Sequence, residues 1–343
     1  MPNEIGSEFW DSGPQKKNSV YLLSGRTALD FILRDILKTQ TVQLAHLPSY
    51  CCHTMVEPFF RNGIPVKFYD VFIDDKGRLT AGVPEIEDNE IFYYMTYFGF
   101  QKLNGLDVSS NLKKTGVCIE DTTHSCMSGG SNSIADFSYA SYRKWTGFEG
   151  IGIAKKKEGV FVEIPHTENS KYTSMRRQAF SMKRQFISFG SGCKERFLSL
   201  FDDAERLLEN DYVGYKPSAE TMANFLVLDK VAITEARRKN AAILIKELKD
   251  IPEVELMFSR IEQDDVPLFV PILVKSNRAE LRKNLIDNNI YCPTHWPLSD
   301  YHKGISKRAE VIYSQELSLV CDQRYGSDDM ERTVECIRKF FMR

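Results

Sequence analysis

The chain has 343 residues, with 45 lysines and arginines against 47 aspartates and glutamates and a formal net charge of −2. This length exceeds one small core and suits two unequal domains that share an interface. Hydrophobic residues make up 42% and charged residues 27%, an ordinary globular composition that argues against wholesale disorder. The near-neutral charge gives no indication of a basic face, so we expect no nucleic-acid partner.

The N-terminus and the cysteines bear on location. Residues Met1–Tyr21 are polar and lack the apolar core of a secretion signal, and no stretch approaches the roughly 20 apolar residues of a membrane span. The eight cysteines show no paired regular spacing, which is typical of reduced thiols in a cytoplasmic protein. The adjacent Cys51 and Cys52 have no second cysteine pair to complete a metal site, so we predict no bound metal. Because no membrane span is indicated, we also expect no membrane partner.

The first half of the chain alternates short apolar runs with helical patterns. Strands are predicted at Val42–Leu47, Pro65–Tyr69, Ile91–Met95 and Val117–Glu120, and a helix at Cys51–Arg61. Runs of this length, separated by helix-length segments, predict an α/β fold with a mostly parallel sheet flanked by helices. Ligands of such sheets bind at the carboxyl ends of the strands.

The second half is helical at first and then mixed. Lys171–Asn210 has helical spacing, and a long amphipathic stretch near 219–248 is predicted to bridge two domains. A small C-terminal α+β domain follows, with strands predicted at Val254–Phe258 and Leu268–Val274 and helices at Arg278–Asp287 and Ser327–Phe341. We therefore divide the chain into a large domain, residues 1–225, and a small domain, residues 226–343.

The segment from Ser24 to Thr27 immediately precedes a helical pattern. A helix N-terminus offers unpaired N–H groups and the positive end of a dipole, which suits a phosphate. Gly25 would let the backbone approach closely, and the hydroxyls of Ser24 and Thr27 are further donors. A plain N-cap is the alternative interpretation, since Ser and Thr fill that position routinely.

Asp121 ends the apolar run Val117–Asp121. At the carboxyl end of a strand its carboxylate would face a ligand. A buried ion pair between such an acid and a protonated ring nitrogen favours the charged forms by roughly 1–3 pKa units. The alternative is a helix N-cap that follows the strand, a frequent use of Asp.

Lys144 lies in a loop that follows Ser138 and Ser141 and precedes glycines at 147, 150 and 152. Such a loop suits a lysine that forms a Schiff base. Its amine must lose a proton to be nucleophilic, and burial or a neighbouring cation such as Arg143 lowers the pKa of a lysine. A surface Lys-Trp pair is the alternative.

Two loops of the C-terminal part are predicted to close over such a site. In Pro293–Pro297, His295 would donate a hydrogen bond or move a proton, and Trp296 would offer a flat apolar face. Arg324, shortly before the last helix, would pair with a carboxylate or phosphate. The alternatives are a core anchor for Trp296, a backbone-bonded His295 and a surface position for Arg324.

Together these segments fit a pyridoxal-phosphate site, in which an acid faces the ring nitrogen and a lysine binds the cofactor. In order and spacing they resemble the DegT/DnrJ/EryC1/StrS family of pyridoxal-phosphate-dependent aminotransferases, which have fold type I. The resemblance runs from Ser24 to about Arg338 and rests on SGRTAL, LPSYCCHTMVEPFFRNGIPVKFYDV, IEDTTHS and SYRKWTGFEGIG.

The resemblance implies roles for individual residues. Lys144 matches the family's Schiff-base lysine and Asp121 the partner of the pyridine nitrogen. The phosphate would bind at Gly25, Arg26 and Thr27, with a hydroxyl from either Ser138 or Ser141.

Three positions depart from the family's pattern. Cys52 and its neighbours Cys51 and His53 stand where an aromatic ring usually stacks on the cofactor, and His124 stands where a glutamine commonly sits beside the ring oxygen. Tyr212–Thr221 lacks the family's Asn-Tyr-Arg-Met run.

The resemblance also implies an activity. The family typically transfers an amino group from glutamate to a keto-sugar attached to a nucleotide, at a dimer interface, so we expect small-molecule substrates and a homodimer. The alternatives are a pyridoxal-phosphate enzyme with a different carbonyl substrate, or a non-catalytic binding protein of the same fold. Retention of Asp121 and Lys144 weighs against the latter. No strand leads into G-x-G-x-x-G, and a P-loop is absent, so other nucleotide-binding enzymes are not indicated.

Overall fold

The computed structural model describes residues 18–100, 116–129 and 134–342. Residues 1–17, part of the segment predicted to lack a secretion signal, lie outside this range. The first half contains β1 (Ser19–Leu22), α1 (Gly25–Leu37), β2 (Leu44–Pro48), α2 (Glu57–Arg61), β3 (Val66–Tyr69), β4 (Val71–Ile73), β5 (Leu79–Ala81), β6 (Glu90–Met95), β7 (Val117–Asp121), β8 (Phe137–Ser141) and β9 (Gly152–Lys156).

The second half is richer in helix. It contains β10 (Thr167–Glu168), α3 (Ser170–Phe189), α4 (Lys194–Asn210), β11 (Tyr215–Lys216), α5 (Ala219–Leu226), α6 (Lys230–Leu248), β12 (Val254–Leu256), β13 (Phe269–Val274), α7 (Arg278–Asp287), α8 (Lys307–Gln315), β14 (Glu316–Val320) and α9 (Ser327–Phe341). No helix in the described ranges is both long enough and apolar enough to span a membrane.

Seven strands form the central sheet, in the order β3, β2, β6, β7, β8, β9, β1. All neighbours pair in parallel except β9, which runs antiparallel to both β8 and β1. All five residues of β7 are buried, as expected for a strand covered on both faces. The predicted α/β class with a mostly parallel sheet is confirmed, and the carboxyl ends of β6, β7 and β8 meet at one edge.

Helix α1 covers the sheet next to that edge. Leu29, Ile32, Leu33 and Ile36 are buried at the spacing of one helical face, and α1 contacts β8 and β9. Each such side chain contributes roughly 1.5–3 kcal/mol relative to full exposure. This packing fixes the N-terminus of α1 beside the end of β8.

A second sheet, of three antiparallel strands in the order β12, β13, β14, lies in the C-terminal part. Helices α6, α7 and α8 contact this sheet, and α9 packs on α6 and α7. The α+β character expected there is present, and the division of the chain between residues 225 and 226 stays a prediction.

Two stretches predicted as continuous helix are divided. The stretch near 219–248 forms α5 and α6, because the carboxylate of Asp229 accepts a 2.9 Å hydrogen bond from the N–H of Ala232 and begins a new helix. The stretch Lys171–Asn210 breaks at Gly190, whose φ of 63° ends α3. The single bridging helix predicted near 219–248 is therefore wrong.

The region from 51 to 61 and the segment before α9 also differ from the prediction. Helix α2 begins only at Glu57, after a 3-10 turn at His53–Met55. Helix α8 and strand β14 were not predicted. In β14 the polar Glu316 and Ser318 are buried, as are Leu317 and Leu319, so the alternation of polar and apolar residues does not mark an exposed and a buried face.

Candidate active site

A cavity of about 160 Å³ lies at the carboxyl edge of the central sheet. Met95, Asp121 and Ser141, the last residues of β6, β7 and β8, line it. Of the residues predicted for the site, those that line the cavity are Gly25, Arg26, Cys52, Asp121, His124, Ser141, Lys144 and Trp296. Segments far apart in the chain therefore converge on one place.

The N-terminus of α1 forms one end of the cavity. The Ser24 hydroxyl accepts a 3.1 Å hydrogen bond from the N–H of Thr27 and lies 2.9 Å from the Thr27 hydroxyl. The N-cap is thus present, and it occupies the N–H of Thr27. A Cβ at Gly25 would come within 3.1 Å of Ser141 Cβ, so a side chain at this position would crowd β8.

Arg26 supplies a cation at the same end of the cavity. Its side chain is 6% exposed, and its Nη1 has no hydrogen-bond partner among the residues that the structure describes. The nearest carboxylate contact of this atom is Glu57 Oε2 at 3.5 Å. A buried, under-satisfied guanidinium beside a helix N-terminus fits a bound anion such as a phosphate.

Asp121 is held by three donors. The phenols of Tyr93 and Tyr139 donate to its Oδ2 at 3.0 and 2.9 Å, and the N–H of Thr123 donates to Oδ1 at 2.7 Å. The side chain is 3% exposed. Burial raises the pKa of Asp121, and the three hydrogen bonds oppose that rise. Such a carboxylate gains from a cationic partner in the cavity.

Lys144 ends a 3-10 turn that directly follows β8. The turn is anchored by Trp145, which is buried and donates from Nε1 to the carbonyl of Thr123 at 2.7 Å. At its base, the N–H of Tyr142 donates to the carbonyl of Ile151 at 3.0 Å. The lysine therefore stands on a fixed loop at the rim of the cavity.

The guanidinium of Arg143 is bonded to residues of α3 and α4. Its Nη1 lies 2.7 Å from Glu205 Oε1, and it also donates to the hydroxyl of Tyr172. The neighbouring cation that was predicted to favour a neutral Lys144 is therefore paired with a carboxylate.

The alternation of β8 separates the two candidate serines. Tyr139 bonds to Asp121, and Ser141 lies beside Gly25 and lines the cavity. Ser138 lies on the opposite face, where it lines a separate pocket with Lys155. Of the two serines, only Ser141 is in place to contact a ligand at the α1 N-terminus.

His124 is neutral and has a defined tautomer. Its Nδ1 accepts a 3.2 Å hydrogen bond from the N–H of Phe98, so the proton is on Nε2. Burial, with a smaller effect of Lys144, lowers its pKa to about 3. The ring can thus donate a hydrogen bond from Nε2, as a glutamine amide does.

Trp296 and His295 behave differently although they are adjacent. The ring of Trp296 stacks on His124, with centroids 5.6 Å apart, and lines the cavity. His295 is buried, and its Nδ1 lies 2.8 Å from the hydroxyl of Ser318. Its ring packs edge-on against that of His124, with centroids 5.4 Å apart. His295 therefore contacts His124.

A second cavity of about 370 Å³ adjoins the first, and Lys144 lines both. Arg324 reaches this second cavity, where its Nε and Nη2 bind the carboxylate of Asp322 at 2.9 and 2.6 Å. Arg237 of α6 and Arg282 of α7 also line it.

Sequence reasoning missed several of these residues. Tyr139 could have been identified, because it shares the alternation of β8 with Ser141. Tyr93 and Arg237 lie in apolar or helical runs whose patterns carry no mark of a site, and only the fold brings them near Asp121 and Lys144.

Comparison with known proteins supports the same assignment. Residues 220–338 match the DegT/DnrJ/EryC1/StrS aminotransferase family, a region beyond the motifs that first suggested it. No curated protein matches the sequence significantly.

Solved structures resemble nearly the whole chain. A DegT DnrJ EryC1 StrS aminotransferase from Brucella abortus has a TM-score of 0.61 at 16% identity, over 95% of this chain and 86% of that one. Sugar aminotransferase CalS13 from Micromonospora echinospora has a TM-score of 0.60 at 13% identity, over 94% of this chain and 88% of that one. The E. coli GDP-4-keto-6-deoxy-D-mannose-3-dehydratase with bound hydrated PLP has a TM-score of 0.63 at 15% identity, over 94% of this chain and 88% of that one. At these identities the likeness establishes the fold.

The chain therefore has the fold of these solved structures, and its residues 220–338 match the DegT/DnrJ/EryC1/StrS aminotransferase family model. The residues of the cavity fit the cofactor, because a buried carboxylate, a lysine and an under-satisfied guanidinium at a helix N-terminus line one space.

Proposed function

We propose that this protein transfers an amino group from glutamate to a keto-sugar attached to a nucleotide. The observation that carries the proposal is the single cavity shared by Lys144, Asp121 and the N-terminus of α1. A ring that binds the lysine covalently, an acid for its nitrogen and a cationic end for a phosphate are the three requirements of pyridoxal phosphate.

Each end of the cofactor has residues to hold it. Gly25, Arg26 and Thr27 at the start of α1 would take the phosphate, with the hydroxyl of Ser141. Because the Thr27 N–H already binds Ser24, the side chain of Arg26 compensates at this position. When bound, pyridoxal phosphate supplies an electron sink for the substrate carbanion.

Asp121 and His124 would orient the ring. Asp121 would hold a proton on the ring nitrogen, since its own position is fixed by Tyr93, Tyr139 and Thr123. His124 would donate from Nε2 to the ring oxygen. Trp296, stacked on His124, excludes water from this side, and Cys52 takes a place at the cavity wall.

Lys144 would perform the proton transfer. Its Nζ would hold the cofactor covalently, and the same amine would take the proton from the donor's Cα. A positioned general base of this kind contributes about 10²–10⁴-fold to the rate. The loop anchored by Trp145 keeps the amine at the rim where both cavities meet.

The small domain would contribute to substrate binding. Trp296 and Arg324 line the cavities, and His295 acts through His124. Arg324, already paired with Asp322, offers its remaining N–H groups to an anionic part of the substrate.

A homodimer is part of the proposal. Leu226, Val227 and Val231, at the junction of α5 and α6, are exposed by 72%, 82% and 67%. Large apolar side chains exposed together are typical of protein interfaces. The cytoplasmic location and the lack of nucleic-acid and membrane partners stay predictions from the sequence.

The deciding experiment is turnover of the holoenzyme with glutamate and a panel of nucleotide-linked keto-sugars, followed by mass spectrometry. An amino-sugar product together with 2-oxoglutarate is expected. A deoxygenated sugar without nitrogen would identify a dehydratase, and a product only from carbonyl compounds without a nucleotide would replace the substrate class.

A further inference from the structure

Tyr212, the second residue after helix α4, is fully buried beside the start of α1. It belongs to an apolar cluster with Leu208, which lines the cavity of about 160 Å³, and with Leu23, which precedes the N-cap of α1. The N–H of Leu23 donates to the carbonyl of Tyr215 at 2.9 Å. The chain that follows α4 is therefore tied to the backbone from which α1 begins.

The ring of Tyr212 contacts the guanidinium of Arg26. The guanidinium carbon of Arg26 lies 5.4 Å from the centre of the ring, and that of Arg61 lies 4.8 Å from the same centre. Both distances fall within the roughly 6 Å at which a cation is attracted to an aromatic ring. Two positive groups are thus held at one ring, beside the N-terminus of α1.

This contact holds Arg26 without occupying its N–H groups. The neighbouring carboxylates of Glu57 and Glu209 lie 3.5 and 4.0 Å from its nitrogens, and its Nη1 has no hydrogen-bond partner among the described residues. A hydrogen-bonded carboxylate would fix the side chain, but it would also use these donors and neutralise the charge. An aromatic ring fixes the plane of the guanidinium and leaves its donors available to an anion.

We propose that Tyr212 is a positioning residue that holds the guanidinium of Arg26 ready for the phosphate of the cofactor, an inference that rests on the cofactor site of the proposed function. A free arginine side chain has many rotamers, and ordering them on binding lowers the affinity for a ligand. Because Tyr212 orders Arg26 beforehand, this cost falls on folding and not on binding. Tyr212 opens the stretch Tyr212–Thr221, where the sequence departs from the family's pattern, so this role is not carried over from the family.

The test titrates the cofactor-free protein with pyridoxal phosphate and with pyridoxal, which differ only in the phosphate. Both can react with Lys144, so the ratio of their affinities, measured by fluorescence, isolates the contribution of the phosphate. We expect Tyr212→Leu to lower the preference for pyridoxal phosphate about tenfold, about 1.4 kcal/mol, and Tyr212→Phe to retain it because the ring remains. Tyr215→Leu is the matched control and should keep the full preference, since that side chain donates to Asp211 at 2.6 Å and does not contact Arg26.

A double-mutant cycle shows whether the effect of Tyr212 passes through Arg26. In an Arg26→Gln background, Tyr212→Leu should not lower the preference further. A further tenfold fall there, or an unchanged preference in Tyr212→Leu alone, would overturn the inference.

Thermal unfolding shows whether Tyr212→Leu is folded. If it is not, Arg26→Lys tests the contact from the other side, because lysine keeps the charge without the planar group that the ring orients. A full preference for pyridoxal phosphate in Arg26→Lys would then refute the inference. Failure of the proposed function has a different result, namely wild-type protein that binds pyridoxal phosphate no more tightly than pyridoxal, which removes the cofactor site itself and the inference with it.

Discussion

The phenol of Tyr139 donates a 2.9 Å hydrogen bond to Oδ2 of Asp121, across the pair of parallel strands β8 and β7. Tyr93, on the other side of β7, donates to the same oxygen at 3.0 Å. The carboxylate is thus held from both neighbouring strands, at the edge where the cavity opens. Its orientation is set by the sheet before any ligand arrives.

This arrangement makes Asp121→Asn an informative variant. We expect the fold to persist and most turnover to be lost, because a neutral amide cannot keep a proton on the ring nitrogen. Loss of an interaction equivalent to about 1–3 pKa units corresponds to roughly 1.4–4 kcal/mol, a 10- to 1,000-fold fall in rate. Tyr139→Phe, which removes one neutral donor, should cost much less. A rate for Asp121→Asn within twofold of wild type would show that another acid serves the ring.

The same residue predicts a pH dependence of the cofactor-free protein. Burial raises the pKa of Asp121 in the folded state above its usual 3.8. The folded protein therefore holds a proton that the unfolded chain releases, and stability falls as the pH rises from about 4 through the raised pKa. Thermal unfolding of the apoprotein between pH 4 and 8 should show a smaller decline in Asp121→Asn. Equal declines in the two proteins would contradict the assignment.

Lys144 should be the point of covalent attachment. Borohydride reduction of the holoprotein, followed by peptide mapping, is expected to place the cofactor on Lys144. Lys144→Ala should lose turnover by at least the 10²–10⁴-fold typical of a general base. Lys157→Ala, at an exposed position beyond β9, is the control. An adduct on another lysine would remove Lys144 from the proposed site.

The two serines of β8 provide a matched pair. Ser141→Ala should weaken binding of pyridoxal phosphate by about 10- to 100-fold, since hydrogen bonds to charged groups contribute roughly 1.5–3 kcal/mol. Ser138→Ala should leave that affinity unchanged, because Ser138 faces the other side of the sheet. The affinities follow from fluorescence titration of the apoproteins. The reverse order of effects would mean that the phosphate lies elsewhere.

Glu316 predicts a separate loss of stability between mildly acidic and slightly alkaline pH. Burial raises its pKa from 4.5 to about 8, although the N–H of His295 and the hydroxyl of Ser318 donate to it. Stability is lost between about pH 4.5 and 8, where the unfolded chain ionises before the folded one. We expect the stability of Glu316→Gln relative to wild type to be on the order of 4 kcal/mol higher at pH 9 than at pH 5. Glu331→Gln, an exposed glutamate of α9, should show no such difference.

The central sheet was predictable because its strands are short apolar runs that end in polar residues. The positions of Asp121 and Lys144 followed from that pattern and from the order of the motifs. The choice between Ser138 and Ser141 needed only the alternation of one strand, once the start of β8 at Phe137 was known.

Other features depend on contacts between distant segments. Arg143 pairs with Glu205 of α4, and no spacing in the sequence indicates that partner. His295 bonds to Ser318 of β14. The sequence does not indicate this contact, because alternating polar residues such as Glu316 and Ser318 are expected to be exposed, and both are buried. The break before α6 occurs because Asp229 caps a new helix. An aspartate can also occupy the exposed face of a continuous helix, so the sequence alone does not reveal this break.

Gly152, the first residue of β9, has a consequence for how the cofactor would move. A Cβ there would come within 2.6 Å of the carbonyl oxygen of Ser24 and 3.0 Å of that of Ala140. The strand that closes the lysine loop thus touches the backbone of the residue that caps α1. The N-terminus of α1, where we propose that the phosphate binds, and the loop of Lys144 therefore share one packed frame. Any side chain at position 152 would separate the two attachment points, even though it touches neither the cofactor nor the substrate.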